Sequence, residues 1–247
     1  LFARSGMREV VGGVSLSVAP AEILGVIGAS GSGKTSLARI MARIDDPDAG
    51  RLSILGTDVT GVPAERFARH PLRGAVQFVC QDAGASLPPR IPVRDTIAEP
   101  LRNFGPAAAG HGDAARRIHD AAGAVRLSPG LLDRLPAALS QGQQTRVALA
   151  RAIVAEPALV ILDEPTATLD ASVQAGVLMT LAAIRAARGV AIVLVSHDLH
   201  LVRLLCDRVC VMEGGQIVES GPSAQVLSRP AHAATAALVA AMTRPVR

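Results

Sequence analysis

Aromatic side chains are nearly missing from this 247-residue chain: they make up 2% of it, with no Trp and no Tyr. That scarcity excludes single-strand nucleic-acid binding on stacked aromatic platforms, and carbohydrate binding of the same kind. Lysine is almost as scarce. Lys34 is the sole Lys, and the other 24 of the 25 basic residues are Arg. The arginines are spread evenly over a chain of net charge +4, with no basic tail, so they read as solvated helix faces and not as a nucleic-acid footprint. Only three cysteines occur, Cys80, Cys206 and Cys210. An odd, sparse set builds no disulfide framework, and the expectation is a reducing compartment. Cys206 and Cys210 lack a nearby His or Cys pair to complete a metal site, and read as small buried hydrophobes. No apolar run reaches the roughly 18 residues that a membrane-spanning helix needs. Nothing at the start reads as a secretory signal, and Leu1 in place of Met points to a fragment or a trimmed product.

What is present is a globular core. Hydrophobic residues are 49% and charged residues 19%, which excludes general disorder. Ile23–Ile27, Val76–Val79, Leu159–Leu162 and Ala191–Val195 are near-continuous apolar runs. Runs of that kind are strands covered on both faces. Amphipathic helices lie between them: Leu37, Ile40, Met41 and Ile44 follow one helical face, as do Val173, Val177, Leu181 and Ile184, with Gly189 as a stop. The alternation predicts an α/β fold around a mainly parallel sheet. Residues 82–155 are rich in Ala and Arg, poor in strand-like runs, and predict a helical lobe inserted into a core of 1–81 and 156–225. Val209–Met212 and Gln216–Glu219, joined through Gly214-Gly215, predict a β-hairpin. Residues 226–247 read as a helical tail.

Gly28-Ala29-Ser30-Gly31-Ser32-Gly33-Lys34-Thr35 matches the phosphate-loop pattern G-x-x-x-x-G-K-[ST], with a buried strand before it and an amphipathic helix after it. The glycines let backbone N–H groups converge on an anion, and the helix N-terminus adds partial positive charge. Lys34 sets an ammonium on the outer phosphates and Thr35 offers a hydroxyl to Mg²⁺, with Ser36 continuing the loop. A plain glycine-rich turn does not explain why the one Lys falls here. Asp163 and Glu164 follow directly on the apolar run Leu159–Leu162. Adjacent carboxylates at the end of a buried strand call for a cation or a partner. Asp163 would hold Mg²⁺ and Glu164 would act as general base toward water.

Further motifs carry a resemblance. Leu139-Ser140-Gln141-Gly142-Gln143 lies 21 residues before the carboxylate pair, counted from Gly142 to Asp163. It resembles the signature motif of the ATP-binding cassette family. Arg146–Ala152 resembles the signature helix, Pro165–Asp170 the D-loop, Ser196-His197-Asp198 the switch, and Gln81 the Q-loop Gln. All stand in the family's order. The resemblance implies a P-loop NTPase (RecA-like) core with a small antiparallel β subdomain and an inserted helical lobe. It implies ATP and Mg²⁺ as cofactors, with Thr35, Gln81 and Asp163 at the metal.

It further implies a head-to-tail pair of cassettes, hetero- or homomeric. The nucleotide would lie between the phosphate loop of one and Ser140, Gly142 and Gln143 of the other, with Asp170 nearby. Glu164, His197 and Gln81 are the implied catalytic groups. Phe2 is the candidate that would stack on adenine. The signature departs from the usual pattern at Gln141, where Gly is common, and Thr145 replaces a common Gln.

Ala85–Arg90, Val93-Arg94, Ile97–Leu101, Ala171–Val177 and the His232-x-x-Thr235 spacing resemble the dipeptide, oligopeptide and nickel importer group. For this chain the group implies an ATPase at the cytoplasmic face of the plasma membrane, bound peripherally to separate permease subunits. Residues 82–101 would line the permease groove, and an extracytoplasmic binding protein would select the cargo. No iron–sulfur cluster is implied, because the cysteine-rich extension of some peptide-importer subunits is missing. Two alternatives stay open: an ATPase of a soluble assembly such as the phosphonate-degrading lyase complex, and a regulatory cassette that binds ATP with little turnover, which Gln141 motivates.

Overall fold

The structure, a computed structural model, describes residues 9–104, 111–165 and 171–242. In chain order the core begins with β1 (Ile23–Gly28), α1 (Lys34–Met41), β2 (Ser53–Ile54), β3 (Thr57–Asp58), α2 (Ala64–Phe67) and β4 (Val76–Val79). Three helices follow: α3 (Val93–Phe104), α4 (His111–Ala124) and α5 (Gln141–Ile153). The chain then returns to alternation with β5 (Leu159–Asp163), α6 (Ala171–Arg188), β6 (Ala191–Val195) and α7 (Leu199–Leu205). It closes with β7 (Arg208–Glu213), β8 (Gln216–Pro222), α8 (Ser223–Ser228) and α9 (Ala233–Met242).

The main sheet runs β4-β5-β6-β1-β7-β8. Its first five strands are parallel, and β8 pairs antiparallel with β7 through the Gly214-Gly215 turn. The β2–β3 pair forms a separate two-stranded antiparallel sheet. The apolar strand runs are continuous because the sheet is covered on both faces. Within β1, Ile23 and Ile27 enter the cluster under α5, α6 and α7, while Leu24 and Val26 enter the one under α1 and α2. Every residue of β1 and β6 is buried. β1 lies between β6 and β7, so the loop leaving its carboxyl end sits where ligands bind in open α/β sheets.

Two helix ends differ from the sequence pattern or add to it. The apolar spacing carries α1 on to Ile44, but the helix stops at Met41 and Arg43 takes φ 55°. The Arg43 side chain turns inward: its Cζ lies 6.0 Å from the Phe67 ring centroid and it pairs with Asp46 at 2.8 Å. Burying that guanidinium ends the helix a turn earlier than hydrophobic spacing alone indicates. At α6 the stop is where the sequence puts it, at Gly189, whose φ of 63° suits glycine. Cys206 and Cys210 are buried free thiols, and burial pushes Cys206 up to about 12. Among the described residues there is no cluster of three or more His, Cys, Asp or Glu placed to hold a metal ion. Among the same residues no helix is long and apolar enough to cross a membrane.

Candidate functional site

The loop between β1 and α1 curls around its own backbone. Gly33 has φ 97°, and a Cβ there would fall 2.6 Å from the Val10 carbonyl oxygen; one at Gly28 would fall 2.3 Å from that of Met212. Both contacts are to backbone, which cannot yield, so only glycine fits. The curl is held by Ser32 N–H donating to Ala29 O at 3.2 Å and Gly215 N–H to Ser32 O at 3.1 Å. The Ser32 hydroxyl is buried and has no partner. A buried unpaired hydroxyl inside a cradle of backbone donors marks a place made for something else.

Lys34 is 6% exposed, and its ammonium donates to Gly28 O at 2.9 Å and Ala29 O at 2.8 Å. Burial lowers its pKa, an effect that Glu164 and Asp163 partly oppose. The Thr35 hydroxyl donates to Asp163 Oδ1 at 3.3 Å. Burial raises the Asp163 pKa, the neighbouring Glu164 adds to the rise, and Thr35 and Lys34 counter it. A buried carboxylate beside a hydroxyl at the foot of a phosphate cradle is the donor set that Mg²⁺ takes in phosphoryl sites. The residues present therefore fit both a polyphosphate and its metal ion.

Beyond Asp163 the chain turns sharply. Glu164 has φ 48°, a left-handed conformation costing a non-glycine residue roughly 1–3 kcal/mol, and its N–H donates to Val195 O at 2.9 Å. The turn presents its carboxylate to two side chains from other elements. His197 Nδ1 lies 3.1 Å from Glu164 Oε2, and Gln81 Nε2 donates to the same oxygen at 3.4 Å. The residues on either side of His197 are fixed: Ser196 Oγ accepts from Asp198 N–H at 3.0 Å, and Asp198 caps α7 by accepting from His200 and Leu201 N–H. Gln81 stands two residues past the end of β4. Three strand ends thus deliver one carboxylate, one imidazole and one amide to a single point.

These groups line a cavity of about 410 Å³ with the loop residues Ser30 to Ser36. Of the residues picked out from sequence, Ser30, Gly31, Ser32, Gly33, Lys34, Thr35, Ser36, Gln81, Glu164 and His197 meet there, with Asp163 tied in through Thr35. Ser140, Gly142 and Gln143 do not; they stand at the start of α5, away from the cavity lining. Ser140 caps that helix in a reciprocal box: Gln143 N–H donates to Ser140 Oγ at 3.4 Å and Ser140 N–H to Gln143 Oε1 at 3.0 Å. Gln141 is exposed beside this cap and leaves it intact. Phe2 and Asp170 lie outside the described residues. Sequence reasoning missed Val10, which is 52% exposed at the cavity mouth. Gly12 N–H donates to Gly215 O at 3.0 Å and docks its segment there. The signal was an apolar pair, Val10-Val11, directly before two glycines.

Known proteins resemble this chain in sequence and in fold. The family model described as "ABC transporter" matches residues 11–167. The oligopeptide transport ATP-binding protein OppD of Mycobacterium tuberculosis is 38% identical over 97% of this chain, which spans 38% of that relative's length. The oligopeptide transport ATP-binding protein OppF of Salmonella typhimurium is 37% identical over 96% of the chain and 70% of the relative. Among solved structures, the dimeric ATP-binding cassette MJ0796 bound to ADP and Pi aligns with a TM-score of 0.75 at 25% identity, over 84% of this chain and 88% of that one. CbiO1 of Clostridium perfringens, part of the ABC transporter complex cbiONQ, aligns at 0.79 and 26% identity, over 89% of this chain and 84% of that one. A match across the phosphate loop, the α5 cap and the Asp163–Glu164 strand end, together with an OppF relative covered over 70% of its length, makes this chain a member of the ABC transporter family, built on the ATP-binding cassette fold.

Proposed function

We propose that this chain is the ATP-binding and ATP-hydrolysing cassette of a bacterial importer that carries peptides. The observation that carries the chemistry is Glu164, held at one oxygen by His197 and Gln81 beside the Thr35–Asp163 pair. In this reading the loop N–H groups and Lys34 bind the β- and γ-phosphates of ATP. Mg²⁺, held by Thr35 and Asp163 with Gln81 near it, would neutralise developing phosphate charge. Both neighbours of Glu164 occupy Oε2, which assigns Oε1 to the attacking water. The water oxygen bonds to the γ-phosphorus, its proton passes to Glu164, and the bond from the γ-phosphorus to the bridging oxygen breaks. ADP and inorganic phosphate result. His197 orients the carboxylate and contacts the γ-phosphate.

The start of α5, with Ser140 and Gly142, serves a second cassette: helix N–H groups and a hydroxyl approach its γ-phosphate from across a dimer interface. Residues 82–155 act as a lobe that docks on permease subunits, and 226–247 as a tail. Two named oligopeptide relatives favour peptides over nickel chelates as the cargo class. The cassette then sits peripherally on the cytoplasmic face of the membrane, and an extracytoplasmic binding protein supplies the cargo.

The test is affinity purification of the tagged full chain in mild detergent, with ATP turnover measured on the purified assembly. Polytopic permease subunits and a second cassette should co-purify, and Glu164→Gln should bind ATP, trap the dimer and stop turnover. Recovery of soluble enzymes alone overturns the importer reading. Equal turnover by wild type and Glu164→Gln overturns the catalytic one.

A further inference from the structure

The segment that follows Gln81 packs against α5 at two points and is hydrogen-bonded to it at one. Gln144 and Arg151 are seven residues apart, about two helical turns, so both project from one face of the helix. Gln144 covers Gly84: a Cβ at Gly84 would fall 2.3 Å from Gln144 Oε1. Gln144 is itself anchored, with Nε2 donating to Pro136 O at 2.9 Å. Two turns on, Arg151 donates from Nη1 to Ser86 O at 3.2 Å and from Nη2 to Ser86 Oγ at 3.1 Å. Its Nη1 also lies 3.9 Å from Glu99 Oε2 on α3, and its side chain is 20% exposed.

The segment held in this way is a compact turn in its own right. Ala85 N–H donates to Asp82 Oδ1 at 2.9 Å, Leu87 N–H to Gly84 O at 3.1 Å, and Ser86 Oγ to Ala83 O at 2.7 Å. Residues 82–87 are therefore a closed turn bonded to α5 through Arg151. Gln81 is the last residue on the sheet side, and its amide reaches Glu164. Ser140 caps the other end of the same α5.

We propose that Arg151 is a positioning residue: its two bonds to Ser86 lock the turn after Gln81 onto α5 and so fix where the Gln81 amide sits against Glu164. The inference rests on the reading of Gln81 and Glu164 as groups that serve ATP hydrolysis. A forked guanidinium holding both the carbonyl and the hydroxyl of one residue fixes distance and angle together, whereas an ammonium fixes distance alone. None of its three partners belongs to the phosphate loop, so binding of ATP to one cassette lies outside its reach.

The experiment compares Arg151→Ala, Arg151→Lys and Ser86→Ala in the purified assembly, and adds amide hydrogen exchange on each isolated cassette. For Arg151→Ala, kcat falls about tenfold, since small misplacements of reacting groups cost one to two decades. KM and the ATP affinity of the isolated cassette stay within about twofold of wild type. Arg151→Lys recovers part of kcat. The amides of Ala85 and Leu87 exchange faster in Arg151→Ala. If that variant fails to fold, Ser86→Ala, which removes the Oγ acceptor and its own bond to Ala83 O but keeps the Arg151 bond to Ser86 O, shows a loss in the same direction. Wild-type kcat with unchanged exchange at 82–87 overturns the proposal, as does a parallel loss of ATP affinity. A wild-type assembly without turnover overturns the hydrolytic reading instead, and the exchange rates still decide whether Arg151 holds the turn.

Discussion

Replacing Lys34 by Ala isolates the one ammonium in the chain. In the structure that ammonium satisfies Gly28 O and Ala29 O at 2.9 and 2.8 Å, while burial disfavours its charge. Ala29 lies at an exposed loop edge, where water can replace the ammonium, whereas the bond to Gly28 O is buried, so the ligand-free protein loses about 1 kcal/mol. The ligand loses more. A hydrogen bond to a charged group contributes about 1.5–3 kcal/mol, and two phosphate contacts amount to about 3 kcal/mol at the low end. At about 1.4 kcal/mol per decade that is roughly a hundredfold in affinity. Equilibrium titration of the isolated cassette with a fluorescent ATP analogue reads this directly, and melting of the ligand-free protein is the control. Weakening by two decades with only a small downward shift of the ligand-free melting curve is the expected result. Affinity within about threefold of wild type would mean that the backbone cradle alone holds the phosphates, and would refute the role given to Lys34. An equal fall in ligand-free stability would mean that the ammonium is a brace for the loop.

Two further outcomes follow from other residues. Asp163 has a raised pKa in the folded chain, so its contribution to stability is present below the ordinary carboxylate value and lost as pH rises through the raised value. Asp163→Asn should therefore raise the melting temperature of the ligand-free protein at neutral pH while removing Mg²⁺-dependent ATP binding; a lowered melting temperature would contradict the burial argument. Phe67 is fully buried, with the His70 ring stacked at 5.3 Å and the Arg43 guanidinium at 6.0 Å. Phe67→Ala should cost about 3–5 kcal/mol in urea unfolding; a loss under about 1 kcal/mol would show that the sheet-edge segments repack around the gap.

The parallel strands and the phosphate loop were readable along the chain because their signals are local. Both faces of β1 and β6 are covered, which writes itself as continuous apolar runs, and a glycine-rich curl needs its glycines in a fixed order. The D-loop Asp170 and Phe2 rest on sequence alone. The end of α1 was not readable, because what stops the helix is Arg43 turning in against Phe67, 24 residues away.

The same division runs through the site. Residue types and order name Lys34, Thr35, Asp163, Glu164, His197 and Gln81 as candidates, since each lies near a strand end or at the helix start after the glycine loop, with a recognisable neighbour pattern. That His197 and Gln81 meet on one oxygen of Glu164 depends on β4, β5 and β6 lying side by side, a pairing over 83 residues in the case of Gln81. Val10 enters the cavity because Gly12 docks on the β7–β8 turn, more than 200 residues on. The link from Arg151 to Ser86 spans 65 residues. Local chemistry is set by neighbours in the chain, and so the sequence carries it; contacts between distant segments exist only once strand order and helix packing bring them to hydrogen-bond distance, and that the tertiary structure alone decided.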